Sequence, residues 1–263
     1  MITVNYIKNI IKLNKNKSYY NDRLSELISF FNVTKKEIED IDRKYGIGSL
    51  EYKVNFLYAN FFKNMRGSKN IFNSYKDSSF YYSLRQLLGR PDKFNSQINI
   101  FNYIEKNLKK DSQVLDYGCC VGDFSILFAK LGFNVTVCDL DIPTLNFAMN
   151  RFKNRDLKIK KYGIKEDLLV PKMNDIKFNF IFCRDVLEHV TNPLKILNFF
   201  YYALDSNGMI YISTMNPGEK TYINGEHLRM SVEMANTKKY KEFFNNHFSL
   251  IDGMFGMYKK INA

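Results

Sequence analysis

Hydrophobic positions in the first hundred residues recur at helical spacing. Leu24, Leu27, Ile28 and Phe31 fall at i, i+3, i+4 and i+7, which predicts a helix over 21–31 with one apolar face. Thr34-Lys35-Lys36-Glu37 has the form of a capping box, with Ile38 and Ile41 following it. Ser49 is placed to cap a helix over 50–63, whose Val54, Leu57, Tyr58 and Phe61 share a face. Residues 80–88 read as helix, stopped by Gly89 and Pro91, and 92–109 as another. Residues 1–15 read as an amphipathic helix, because no basic leader or small-residue cleavage site marks them as a signal peptide.

After about residue 110 the pattern changes to short apolar runs alternating with helical stretches. Strands are expected at 114–117, 134–139, 157–162, 178–183 and 208–214, with helices at 124–131, 143–153 and 193–204. Pro143 suits the first turn of its helix. Gly253 and Gly256 separate 248–252 from 255–260 as in a hairpin, and His247 falls at the start of that late strand. Alternating strands and helices imply a mainly parallel sheet with helices on both faces.

Composition changes this picture little. Hydrophobic residues make up 45% and charged residues 25% of the 263, ordinary values for a globular chain, and no apolar run approaches the ~20 residues a membrane span needs. The four cysteines have no CxxC spacing and read as reduced thiols of a cytoplasmic protein. The net charge of +12 matters more. Residues 1–100 hold 17 Lys/Arg against 9 Asp/Glu, and residues 101–263 hold 22 against 18. That surplus permits an anionic partner, but no basic block stands out, and compositional drift in a chain rich in Lys, Asn and Ile is the preferred explanation.

Candidate chemistry begins at Val114-Leu115-Asp116-Tyr117-Gly118-Cys119-Cys120-Val121-Gly122, a strand opening through glycine toward a helix. The G-x-G-x-x-G dinucleotide fingerprint fails, since Cys120 and Asp123 stand where glycines are required, and no P-loop is present. What remains is Asp116-x-Gly118-x-x-x-Gly122, followed about 20 residues on by an acid, Asp139, placed to accept from ribose hydroxyls. A loop with fewer glycines admits a nucleoside ligand that lacks a pyrophosphate.

Leu115 to Gly122 resembles the LDxGCGxG loop of class I S-adenosylmethionine-dependent methyltransferases. Val137-Cys138-Asp139 is similar to their second motif. Phe180-Ile181-Phe182-Cys183-Arg184-Asp185-Val186-Leu187-Glu188-His189-Val190 resembles the fourth-strand segment, ending in LEHV, of small-molecule enzymes of the ubiquinone-biosynthesis type. Ile212-Ser213-Thr214-Met215-Asn216-Pro217 and Glu226-His227-Leu228-Arg229 are similar to the fifth strand and the loop after it. The resemblance covers roughly residues 95–263. It implies an α/β, Rossmann-like, seven-stranded mainly parallel sheet with an antiparallel C-terminal hairpin, joined to an all-helical N-terminal region. The division expected is a helical cap or substrate-facing region at 1–95 and a methyltransferase domain at 96–263.

The resemblance also implies the site. Asp116, Gly118, Cys119, Cys120, Gly122, Asp139, Leu140, Glu166, Asp167 and Arg184 are the expected contacts to S-adenosylmethionine. His189 and His227 are candidate bases, because a histidine titrates near neutral pH; a structural hydrogen bond is the competing role for His189. Tyr81, Tyr82 and Arg85 are expected either to cover the cofactor or to serve only in helix packing. Two positions depart from the family pattern. Cys120 replaces a glycine and is accommodated if its φ is negative, and Ile164 follows Gly163 where relatives carry an acid. The acceptor implied is a small molecule, an anionic one suiting the basic N-terminal part. Asp185, Glu188, His189 and His227 leave a second reading open, a metal-assisted RNA methyltransferase. A third is a scaffold that binds the cofactor without catalysis.

Overall fold

A computed structural model describes residues 17–62, 68–89, 93–165, 170, 171, 173, 176–216 and 227–262. The expected helix over 1–15 lies outside them, as do Pro91, Glu166, Asp167, Pro217 and Glu226.

Seven strands form one sheet in the order β3-β2-β1-β4-β5-β7-β6. β1 (Gln113–Tyr117), β2 (Asn134–Leu140), β3 (Lys160–Ile164), β4 (Phe178–Cys183) and β5 (Leu204–Ile212) run parallel. β7 (Met257–Lys260) inserts antiparallel between β5 and β6 (Phe248–Leu250). β1 and β4 are buried over nearly their whole length, which is why they read as unbroken apolar runs. The period-2 alternation sends Val114, Phe180 and Phe182 into one core, and Leu115, Tyr117 and Ile181 into the other. Strand order reverses between β1 and β4, and the register Tyr117↔Cys138 and Tyr117↔Cys183 brings the carboxyl ends of β2, β1 and β4 level. Ligands of open α/β sheets sit beyond such a reversal.

α6 (Asp123–Lys130), α7 (Pro143–Lys153) and α8 (Pro193–Ala203) follow the sequence reading closely, with Pro143 and Pro193 in their first turns. β3 begins three residues later than expected and β5 starts earlier, directly after α8. α9 (Arg229–Ala235) and α10 (Lys238–His247) were missed as helices, though Thr237 caps α10 by accepting from Tyr240 N–H. His247 therefore ends a helix rather than starting a strand, and its ring stacks on Phe243 at 4.1 Å.

The helical part comprises α1 (Lys17–Phe31), α2 (Lys35–Tyr45), a π-helical segment (Tyr52–Phe62), α3 (Ser68–Asp77), α4 (Ser79–Leu88) and α5 (Ile98–Asn107). The Thr34–Glu37 capping box forms in both directions, and Ser49 Oγ accepts from Tyr52 N–H. The π-helix corrects the expected face. Tyr52, Leu57 and Phe62 are buried, five residues apart, and Val54 is exposed, because one π turn spans more residues than an α turn. These helices share a core with the sheet domain: Phe30 and Phe31 pack on Phe147 of α7 at 5.2 and 5.4 Å.

Charge locks the same contact. Asp123 at the start of α6 pairs with Arg23 of α1 and Arg151 of α7, both at 2.8 Å, and with Lys93. Glu26 takes the other side of Arg151 at 3.0 Å and also pairs with Arg155. Burial alone would raise the Asp123 carboxyl. The combined attraction of Arg23, Lys93 and Arg151 reverses that and holds it well below the usual carboxylate range.

Candidate active site

The loop from β1 to α6 turns through three left-handed residues, Gly118 (φ 78°), Cys120 (φ 52°) and Gly122 (φ 75°). A Cβ on Gly118 would lie 2.2 Å from Val186 Cγ2, and one on Gly122 would lie 2.4 Å from the Phe152 ring. Neither place admits a side chain. Cys120 corrects the expectation of a negative φ: the loop keeps the glycine conformation with a cysteine in it, at a cost of about 1–2 kcal/mol. The Cys120 N–H points into the carboxylate of Asp139 at 2.6 Å, and that hydrogen bond fixes the strained residue.

Asp139, next to the last residue of β2, accepts from Cys120 N–H on one oxygen and from Leu140 N–H at 2.7 Å on the other. Each oxygen keeps a lone pair, since a carboxylate has about four acceptor sites. Burial raises the Asp139 carboxyl to about 6 against the lowering effect of those two N–H donors. Asp116 is buried beneath the loop and accepts from Ser125 Oγ at 2.5 Å. Burial raises it to about 7, with Ser125 working the other way and the nearby Asp139 adding to the rise.

Two cavities open at the carboxyl ends of the strands. One, of about 770 Å³ including its mouth, runs over Asp139, Leu140, Ile142 and Ile164. The other, of about 1210 Å³ including its mouth, is polar and holds Asp116, Cys119, Arg184, Glu188 and His227. Tyr82, Gly118, Cys120, Asp185 and His189 line both, so the two are lobes of one site.

The His189 and His227 rings stand 5.5 Å apart, close to perpendicular. Glu188 between them is buried. Thr214 Oγ1 donates to its carboxylate at 2.5 Å, its other oxygen lies 3.9 Å from His189 Nε2, and its carbonyl accepts from Leu228 N–H at 2.8 Å, which anchors the His227 loop. Glu188, His189 and His227 bring one ligand atom each within 4.8 Å of one another, a mixed oxygen and nitrogen set that a divalent cation accepts. Asp185, itself left-handed (φ 54°), is held by Ser213 through both its N–H and its carboxylate, and Arg184 reaches its other oxygen at 3.4 Å.

Most residues expected at the site thus lie around one cleft. Gly122 shapes the loop from behind without lining it. Tyr82 and Arg85 line the cavities, whereas Tyr81 turns away and stacks on Phe61 at 5.4 Å. Sequence reasoning missed Thr214, Ser213 and the cations around Asp123, because their partners are remote in the chain. Ser213 and Thr214 do stand in the segment after the fifth strand, and hydroxyls there opposite Asp185 and Glu188 after the fourth are the one signal of their role.

A doubly wound sheet, an acid closing β2 and a glycine loop too lean for pyrophosphate define a class I S-adenosylmethionine-dependent methyltransferase domain. The residues fit that cofactor: Asp139 retains acceptor capacity beside an apolar wall of Leu140, Ile142 and Ile164. The chain belongs to the family described as "Methyltransferase domain", which it matches over residues 94–253. It is 32% identical over 120 residues to a ubiquinone biosynthesis O-methyltransferase of Colwellia psychrerythraea, covering 45% of this chain and 48% of that one. To the enzyme of the same name from Histophilus somni it is 34% identical over 109 residues, 40% of this chain and 46% of that one. The chain therefore spans about half the length of these curated relatives. Among solved structures, the PH0226 protein of Pyrococcus horikoshii aligns at 20% identity with a TM-score of 0.42, over 54% of this chain and 58% of that one. No helix among the described residues is long and apolar enough to cross a membrane.

Proposed function

We propose that the chain transfers a methyl group from S-adenosylmethionine to an oxygen or nitrogen of a small-molecule acceptor. One observation carries the reading: Gly118, Cys120, Asp185 and His189 line both lobes, so a donor over Asp139 and an acceptor beside His227 meet at one place. Asp139 holds the ribose hydroxyls, and Leu140 and Ile164 flank the adenine; Glu166 and Asp167 stay further contacts on the sequence alone. Asp116, Gly118, Cys119 and Arg184 surround the methionyl end. The cofactor supplies a methyl group already activated on sulfur. The chain's own work is alignment of the acceptor and exclusion of water. His189 or His227 takes the acceptor's proton, with the Glu188 carboxylate 3.9 Å from His189 Nε2. Residues 1–95 form the acceptor-facing cap of a methyltransferase domain at 96–263. Four free cysteines suit the reducing cytoplasm as the place of action.

The test is to incubate the protein with methyl-labelled donor and a cell extract, then to separate small molecules, RNA and protein. Label in the small-molecule fraction, lost in a His189→Ala, His227→Ala double variant, is expected. Label confined to RNA or protein overturns the reading. A second reading has the Glu188, His189 and His227 cluster behind it: magnesium or manganese held there and an RNA acceptor. Strict dependence on added metal after chelation, together with label in RNA, would select it.

A further inference from the structure

The polar lobe is lined by four carboxylates, yet each has a partner within the chain. Asp123 is shared among Arg23, Lys93 and Arg151. Asp185 is held by Ser213 and Arg184, Asp116 by Ser125, and Glu188 by Thr214 beside His189. Arg85 is the exception among the cations. Its Nε is buried with no hydrogen-bond partner, and it has no ion pair among the described residues. A guanidinium N–H in such a position loses its water and gains nothing in return. Arg85 belongs to α4, where Tyr82, Arg85 and Gln86 present one face to the lobe, and Lys53 of the π-helix adds its ammonium to the same lining. Tyr82 stands at the junction of the lobes, so the α4 face leads from the place of methyl transfer to Arg85. Lys53, Arg85 and Lys93 of this lining belong to residues 1–100, whose surplus of positive charge suits an anionic partner.

Resting on the function proposed above, we infer that the acceptor carries a carboxylate or a phosphate, and that Arg85 receives it with Lys53 nearby. A planar fork of N–H donors matches both groups in two-point fashion. Sequence divergence in the helical cap would then set which acceptor is taken, while the sheet domain keeps the donor site constant.

S-adenosylhomocysteine, which carries the donor's own α-carboxylate, separates the two possible sources of a carboxylate. Calorimetry is run on the full chain saturated with it, with inorganic phosphate as the probe. The parent is expected to bind phosphate saturably. Arg85→Gln should weaken that binding at least ~10-fold, as loss of a charged hydrogen bond implies, with Arg85→Lys in between. S-adenosylhomocysteine affinity should stay within about 2-fold in both variants, a change too small for a lost charged hydrogen bond. Phosphate binding that is absent in the parent, or equal in Arg85→Gln, overturns the inference. So does a loss of S-adenosylhomocysteine affinity in Arg85→Gln, which would make the donor's carboxylate the ligand of Arg85. If the parent does not bind S-adenosylhomocysteine at all, it is the proposed function that fails. Melting curves of both variants confirm that each is folded.

Discussion

Asp123→Ala strands three cations. Arg23, Lys93 and Arg151 converge on this one buried carboxylate, and Arg151 also reaches a second acid, Glu26. Removing one partner of a buried pair costs roughly 3–5 kcal/mol, because the remaining charge stays out of water. At about 2–4 °C per kcal/mol for a chain of this size, the melting temperature should fall by about 6–20 °C. The pH dependence sharpens the test. Asp123 has a depressed folded value, so its contribution is fully present above the unfolded value near 3.9 and is lost as pH falls through the lower folded one. Parent and variant should therefore converge in acid. In alkali the gap narrows, without closing, for a different reason. Burial already lowers the Lys93 ammonium to about 8, and removing Asp123 takes away the pull in the other direction. The variant's Lys93 then sheds its proton at still lower pH, and the variant gains stability as pH rises toward the ordinary lysine value. Thermal melts followed by circular dichroism from pH 3 to pH 10 read all of this. A melting temperature within about 2 °C of the parent's at pH 7 would refute the view that this carboxylate holds α1 to the sheet domain.

Asp139→Ala should bind S-adenosylmethionine about 10- to 150-fold more weakly, the equivalent of roughly 1.5–3 kcal/mol, with the fold intact; unchanged affinity by calorimetry means the ribose lies elsewhere. Because Asp139 is raised to about 6, donor affinity in the parent should be level above pH 7 and drop below pH 6, and a flat profile from pH 5 to pH 8 contradicts the role. The sign for the empty protein is opposite: an acid raised on folding stabilises most below its unfolded value, and that contribution is lost as pH climbs through 6. Cys120→Gly relieves a left-handed strain of about 1–2 kcal/mol against about 0.5–1 kcal/mol of added unfolded-state entropy, so denaturant melts should show equal or higher stability and calorimetry equal or tighter donor binding. Cys120→Leu should abolish donor binding, and normal binding by that variant would detach the loop from the cofactor.

The strand-to-glycine passage at Tyr117–Gly118, Asp139 at the end of β2, Pro143 at a helix start and the Thr34 capping box were all legible, because each rests on interactions a few residues long. The Tyr52–Phe62 helix was seen but its face was misread, since a 3.6-residue template has no place for Tyr52, Leu57 and Phe62 five apart. α9 is only seven residues long and lacks a capping side chain, whereas α10 has a cap at Thr237 and an apolar stripe of Tyr240, Phe243 and Phe244 that was legible and was missed. The sign of φ at Cys120 was invisible for a different reason: it is imposed by a hydrogen bond to a residue 19 positions away. The pairing of Arg23 with Asp123 spans 100 positions, and only the assembled fold brings the two together.

A sulfhydryl on the wall of a methylating cleft is a hazard to its owner. Cys120 lines both lobes, beside the place where methyl transfer is proposed, and a thiolate there would be a better nucleophile than most acceptors. Burial and the neighbouring Asp139 carboxylate push that thiol far above its ordinary value, and Lys93 offsets only part of the rise. The thiolate population at neutral pH is correspondingly negligible, so the group stays chemically silent next to an electrophile. The strained cysteine is thus tolerated as an inert methylene-like filler, and self-alkylation is suppressed by electrostatics instead of by distance. Intact-mass spectra after prolonged incubation with S-adenosylmethionine should show no chain heavier by one methyl group, and such a species mapping to Cys120 would show the suppression to be incomplete.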